Sequence, residues 1–99
     1  MKVIWLKRAI RQRDHQEEWY RITKGLDFAK SFICSLYRAE SQIRTMPDIG
    51  QKEKSTRSGW QVRSVLAHPK CRIIYKYDDE TIVIMRLKFM MMTTRARIK

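Results

Sequence analysis

Ninety-nine residues are enough for one domain with a real core, spanning 1–99, and leave no room for a second. Apolar residues make up 43% of the chain, whereas 22 lysines and arginines stand against 10 acids for a net charge of +12. That charge is spread along the chain rather than gathered in a tail, so it points to a polyanion or an acidic protein as partner. The start, MKVIWLKRAIRQRD, sets charges among its first apolar residues, unlike a signal peptide. The run IVIMRLKFMMM is broken by Arg86 and Lys88, so no membrane span is expected and the cytoplasm is the expected compartment. Cys34 and Cys71 fall on a helix face and a strand, which suits two buried thiols better than a disulfide.

Residues 2–6, KVIWL, read as a first strand, short and rich in β-branched and aromatic side chains. From Lys7 to about Thr23 the pattern is helical, with an imperfect apolar stripe and very basic first turns (Lys7, Arg8, Arg11, Arg13). Gly25 supplies a stop. A second helix follows, in which Leu26, Ala29, Phe32, Ile33, Leu36, Tyr37 and Ile43 recur at three- and four-residue steps. Asp27 suits its first turn, and Pro47 requires it to end at or before Met46. MPDIG (46–50) reads as a turn and QKEKSTRSG as a mobile surface loop.

Three strands complete the chain between Ser58 and Phe89, joined by the turns HPK and DDE. Period-two alternation predicts one side against the helices: Trp60, Val62 and Leu66; then Cys71, Ile73, Tyr75 and Tyr77; then Val83, Met85, Leu87 and Phe89. The far face then gathers Arg63, Arg72, Lys76, Arg86 and Lys88, with Ile74, Ile82 and Ile84 among them. All three strands send cations to one face while the acids Asp78, Asp79 and Glu80 sit in a turn, so the far face is the candidate binding surface. The last ten residues, MMMTTRARIK, carry no clear pattern.

Most site chemistries lack their residues. His15 and His68 have no Cys or His at ligand spacing, so no metal is expected; His68 reads as a turn residue. Gly25, Gly50 and Gly59 form no phosphate loop, and no cofactor is implied. Metal-free RNA cleavage by 2′-hydroxyl attack needs a base, an acid and cations around the phosphorane. Arg63, Arg72 and Arg86 can serve as phosphate forks, and Lys88 as a base only with a strongly lowered pKa. No histidine or carboxylate is expected on that face, so binding is better supplied than catalysis.

The strings KVIWLKRAIRQRD, MPDIG and CRIIYKYDDETIVIMRLKF, in this order, resemble the RelE/ParE superfamily of toxins over nearly the whole chain. The resemblance implies an α+β fold of order β-α-α-β-β-β, two N-terminal antiparallel helices packed on one face of a small antiparallel sheet. It also implies a type II toxin neutralised by a cognate acidic antitoxin wrapped over helices and sheet. RelE-like members cleave mRNA on the ribosome, and ParE-like members inhibit DNA gyrase. Arg72 falls where RelE-like toxins carry a functional strand arginine. The tail Met90-Met91-Met92-Thr93-Thr94 lacks the Arg, His or Tyr such nucleases place there, which together with MPDIG tips the reading toward the ParE branch. A basic nucleic-acid-binding module without toxicity is the third reading, and the oligomeric state stays open.

Overall fold

The computed structural model describes residues 1–53 and 60–90. The elements are β1 (Lys2–Trp5), α1 (Lys7–Lys24), α2 (Leu26–Thr45), a 3-10 turn (Pro47–Ile49), β2 (Gln51–Lys52), β3 (Gln61–His68), β4 (Cys71–Tyr77) and β5 (Thr81–Phe89). They form the expected α+β fold, with the helical hairpin on one face of a single sheet ordered β1-β5-β4-β3-β2. The sheet is mixed rather than antiparallel: β1 runs parallel to β5, with Lys2 opposite Thr81 and Trp5 opposite Ile84. Alternation of side chains fixes faces and carries no information on strand direction, so the sequence could not show this. A further two-residue strand, β2, pairs with β3 inside the stretch expected to be a loop. Residues 54–59, which carry the rest of that expected loop, lie outside the described residues, as do residues 91–99 of the expected tail.

Gly25 separates the helices at a φ of 99°, a backbone state open to glycine, and its N–H closes α1 on the Tyr20 carbonyl. In α2 the buried set Ala29, Phe32, Leu36, Ala39 and Ile43 follows the helical period. Leu26 and Tyr37, placed in that stripe by sequence, are exposed at its margins. Asp27 sits in the first turn, but the α2 N-cap, Gly25, offers no side-chain cap. Helix α1 buries Ala9 and Tyr20 and leaves Trp19 and Ile22 in solvent.

The core lies between these helices and Cys71, Ile73, Tyr75, Ile82, Ile84 and Leu87 of the sheet. In β4 the alternation is as expected. In β5 it is reversed over the first half. Tyr75 pairs with Ile84 but Ile74 pairs with Arg86, so Met85 is an extra, bulged residue. The bulge turns Ile82 and Ile84 under the helices and Val83 outward, yet leaves Leu87 and Phe89 inside and Arg86 and Lys88 outside. In β3 the expected faces are reversed throughout. Arg63 pairs with Tyr75 and Val65 with Ile73 on the helix side, while Val62, Ser64 and Leu66 take the far face. A second irregularity between Leu66 and His68 lets His68 pair with Cys71 on the helix side. Beyond Trp5, where β1 ends, the Gln12 side-chain carbonyl of α1 accepts the Leu87 N–H at 2.8 Å and continues the edge of β5. Cys71 is buried as expected; Cys34 is exposed, and both are free thiols. No helix among the described residues is long and apolar enough to cross a membrane.

Candidate functional site

The far face can be read off as rows of cross-strand partners. Leu66, Arg72 and Lys88 form one row, Ser64, Ile74 and Arg86 the next, and Val62, Lys76 and Val83 a third. Val62, Ile74 and Val83 are buried along the middle of this face, and Leu66 is 55% exposed at its edge. The apolar centre is therefore Val62, Ile74 and Val83, in place of the expected Ile74, Ile82 and Ile84. Of the five expected cations, four are brought together here: Arg72, Lys76, Arg86 and Lys88. The Lys76 ammonium stands 4.8 Å above the centre of the Trp60 ring, which holds it over the third row.

Arg63 is the exception, and it belongs to the opposite face. Its Nε donates to the Tyr77 hydroxyl at 3.1 Å and its Nη1 to the Gly50 carbonyl at 2.9 Å. The Tyr77 hydroxyl contact holds the guanidinium pKa above its ordinary value. The stacked neighbour Tyr75 donates its hydroxyl to the Pro47 carbonyl at 2.6 Å and accepts the Gly50 N–H at 3.1 Å. Burial pushes the Tyr75 phenol pKa up. A Cβ on Gly50 would stand 2.7 Å from both the Ser64 carbonyl and the Tyr75 hydroxyl, so PDIG needs its glycine for close approach. This network fastens the 3-10 turn to the sheet.

Two residues of the far face escaped the sequence reading. Ser64 is 1% exposed, and its hydroxyl donates to Glu53 Oε2 at 2.7 Å and accepts from Arg72 Nε at 3.3 Å. Arg72 Nη2 leans more loosely on the Gln51 side chain and the Ser64 carbonyl, at 3.4 and 3.5 Å. A carboxylate thus does lie on this face, against expectation, carried there by β2. The Glu53 N–H donates to the Val62 carbonyl at 2.8 Å, extending the β2 pairing. The only signal in the sequence was an acid shortly after a Pro-Gly turn, and nothing showed that the segment adds a strand.

A second surface lies at the other side of the molecule. The end of α1, the start of α2 and the β3–β4 turn enclose a cleft of about 470 Å³ lined by Gln16, Trp19, Tyr20, Phe28, His68 and Pro69, with Lys24 and Lys70 at its margin. His68 is more than a turn residue. It packs edge-on against Phe28 and Phe32, with ring centres 5.8 and 5.6 Å away, and its Nδ1 is buried without a hydrogen-bond partner. Burial, then Lys70, lowers its pKa. Among the described residues no group of three or more His, Cys, Asp or Glu is placed to hold a metal ion.

The family model for the ParE toxin of type II toxin–antitoxin systems, parDE, matches residues 3–90. The chain belongs to the ParE toxin family. No curated protein sequence matches it. Among solved structures, the chain is similar to a protein of the chromosomal ParDE system from P. aeruginosa (TM-score 0.72, 17% identity, 92% of this chain and 97% of that one). It is also similar to a YoeB/ParE toxin from Agrobacterium tumefaciens (0.58, 13%, 92% and 100%). The chain of a YoeB–YefM toxin–antitoxin complex from Staphylococcus aureus follows (0.53, 17%, 92% and 98%). At such identities these likenesses speak for the fold. The ParE match itself bears out the RelE/ParE resemblance and the toxin class.

Proposed function

We propose that this ParE-family toxin works in the cytoplasm, is held inactive by an acidic antitoxin, and inhibits DNA gyrase through the far face of its sheet without cutting nucleic acid. One observation carries the target reading. Arg72, Lys76, Arg86 and Lys88 surround an apolar centre, whereas both histidines and all four tyrosines lie on the helix side or its surroundings. Among the described residues such a face has what binding needs, cations beside apolar area, and for proton transfer offers only the Glu53 carboxylate. The net charge of +12 and the aromatic cleft bordered by Lys24 and Lys70 support an acidic, partly apolar antitoxin segment as the neutralising partner.

Glu53 favours a second reading, a ribosome-dependent mRNA endoribonuclease. Among the described residues, its carboxylate is the one candidate base beside Arg72, with Arg86 and Lys88 available for phosphate. Expression without antitoxin separates the two. The gyrase reading expects intact transcripts with an SOS response, and growth inhibition that survives Glu53→Gln but not Arg72→Ala. Transcripts cut within codons, with cutting lost in Glu53→Gln, would overturn it in favour of the nuclease.

A further inference from the structure

Among the described residues, Ser64 is the one polar or charged side chain that is buried, and it lies beneath the cationic face rather than in the helix-covered core. Its hydroxyl is shared. It gives its proton to Glu53 and takes one from Arg72 Nε. Glu53 and Arg72 therefore meet at the same oxygen, yet their charged groups form no ion pair within 4 Å, although other acid–base neighbours such as Glu40 and Arg44 do. At 1% exposure Ser64 itself cannot touch a target, so a role as nucleophile is ruled out.

We infer that Ser64 is a positioning residue that keeps Arg72 free for an anionic group by standing between it and Glu53. The inference rests on the reading of the far face as the target face and deepens it. A neutral hydroxyl occupies the Nε–H, the donor on the chain side of the guanidinium. Nη2 makes only the long contacts to Gln51 and the Ser64 carbonyl, and Nη1 makes none among the described residues. The outer edge of the fork thus remains available for bidentate contact with a carboxylate or phosphate. Lys88, directly opposite on β5, and Arg86, one row away, add to the field at that edge. A direct Glu53–Arg72 pair would fill the same fork and neutralise it. The hydroxyl prevents that because its donor side satisfies the carboxylate and its acceptor side satisfies the arginine.

The test is a titration of the full-length protein with inorganic phosphate, followed by NMR at the Arg72 guanidinium resonances. In the wild type phosphate shifts the Nη signals, while the Nε–H signal stays in place. Ser64→Ala should weaken phosphate binding at Arg72 roughly tenfold, the loss of about one charge-assisted contact. Ser64→Cys, which keeps the volume but is a poor hydrogen-bonding group, should do the same. The double change Ser64→Ala/Glu53→Gln should restore binding, because the competing charge is gone; a purely structural role for Ser64 would give no such rescue. Unchanged affinity in both Ser64 variants, failure of the double change to restore it, or no response of wild-type Arg72 to phosphate would each overturn the inference. Growth inhibition that survives Arg72→Ala would overturn the target-face reading alone, so the two failures are separable.

Discussion

Arg63 and Arg72 stand on neighbouring strands of one sheet, and the sheet gives them opposite uses. Arg63 faces the helices, bound to a tyrosine hydroxyl and a glycine carbonyl, and serves to fasten the PDIG turn. Arg72 faces away from them, held at its Nε and open at its outer edge. A count of cations treats the two alike. The difference lies in which face the pleat assigns, and a single irregularity in pairing can reverse that assignment.

The contrast between a face that holds the fold and a face that meets a partner can be tested residue by residue. Phe32→Ala should cost most, about 3–5 kcal/mol of unfolding free energy, because the ring is fully buried against Tyr20, His68 and Phe89. Urea denaturation followed by circular dichroism measures it, and growth inhibition should fail along with the fold. Arg63→Met should lower the unfolding free energy by a smaller amount than Phe32→Ala, by leaving the Tyr77 hydroxyl and the Gly50 carbonyl without their charged donor. Residual folded protein should still inhibit growth. Arg72→Ala should behave in the opposite way, with unfolding changed by less than about 1 kcal/mol and inhibition abolished. If Arg63→Met removed inhibition at full stability, the division between the faces would be wrong.

Two smaller effects sharpen the picture on the helix side. His68 has its folded pKa below the ordinary histidine value through burial and Lys70. The native state therefore binds fewer protons than the unfolded one, and stability should be fully present above about pH 6.5 and fall as the pH drops below it. The slope should be at most one proton and should vanish in His68→Gln, measured by urea titration between pH 5 and 7.5. Among the thiols, Cys34 is exposed, whereas burial pushes Cys71 up to about 12. A disulfide reagent should label Cys34 in the native protein and reach Cys71 only after unfolding.

Much of this was legible in the sequence, because strong periodicity carries its own geometry. The α2 stripe, the Gly25 break, the Pro47 stop and the inside–outside pattern of β4 all follow from spacing and from the special backbones of glycine and proline. The failures lie where the pattern is irregular, weak or dependent on a distant partner. Face assignment in β5 depended on Met85 being counted as a regular strand residue, and in β3 on an alternation too weak to set the phase. Local patterns also cannot reveal which distant segments pair. That is why β2, and with it Glu53, went unseen, and why Ser64 looked like one more polar strand residue rather than the hydroxyl between an acid and an arginine.

The parallel pairing of β1 with β5 has a consequence for the order of events in synthesis. Lys2 has its partner at Thr81, so the first strand made must wait for the last before it can join the sheet. The helical hairpin and the β3–β4–β5 meander rest on nearby partners and can form earlier, while closure of the β1 edge is the longest-range step in the fold. On the ribosome, that step is deferred until Ile84 has emerged. Only then does the sheet acquire its outer strand, so the β1 edge is the last part of the fold to be completed.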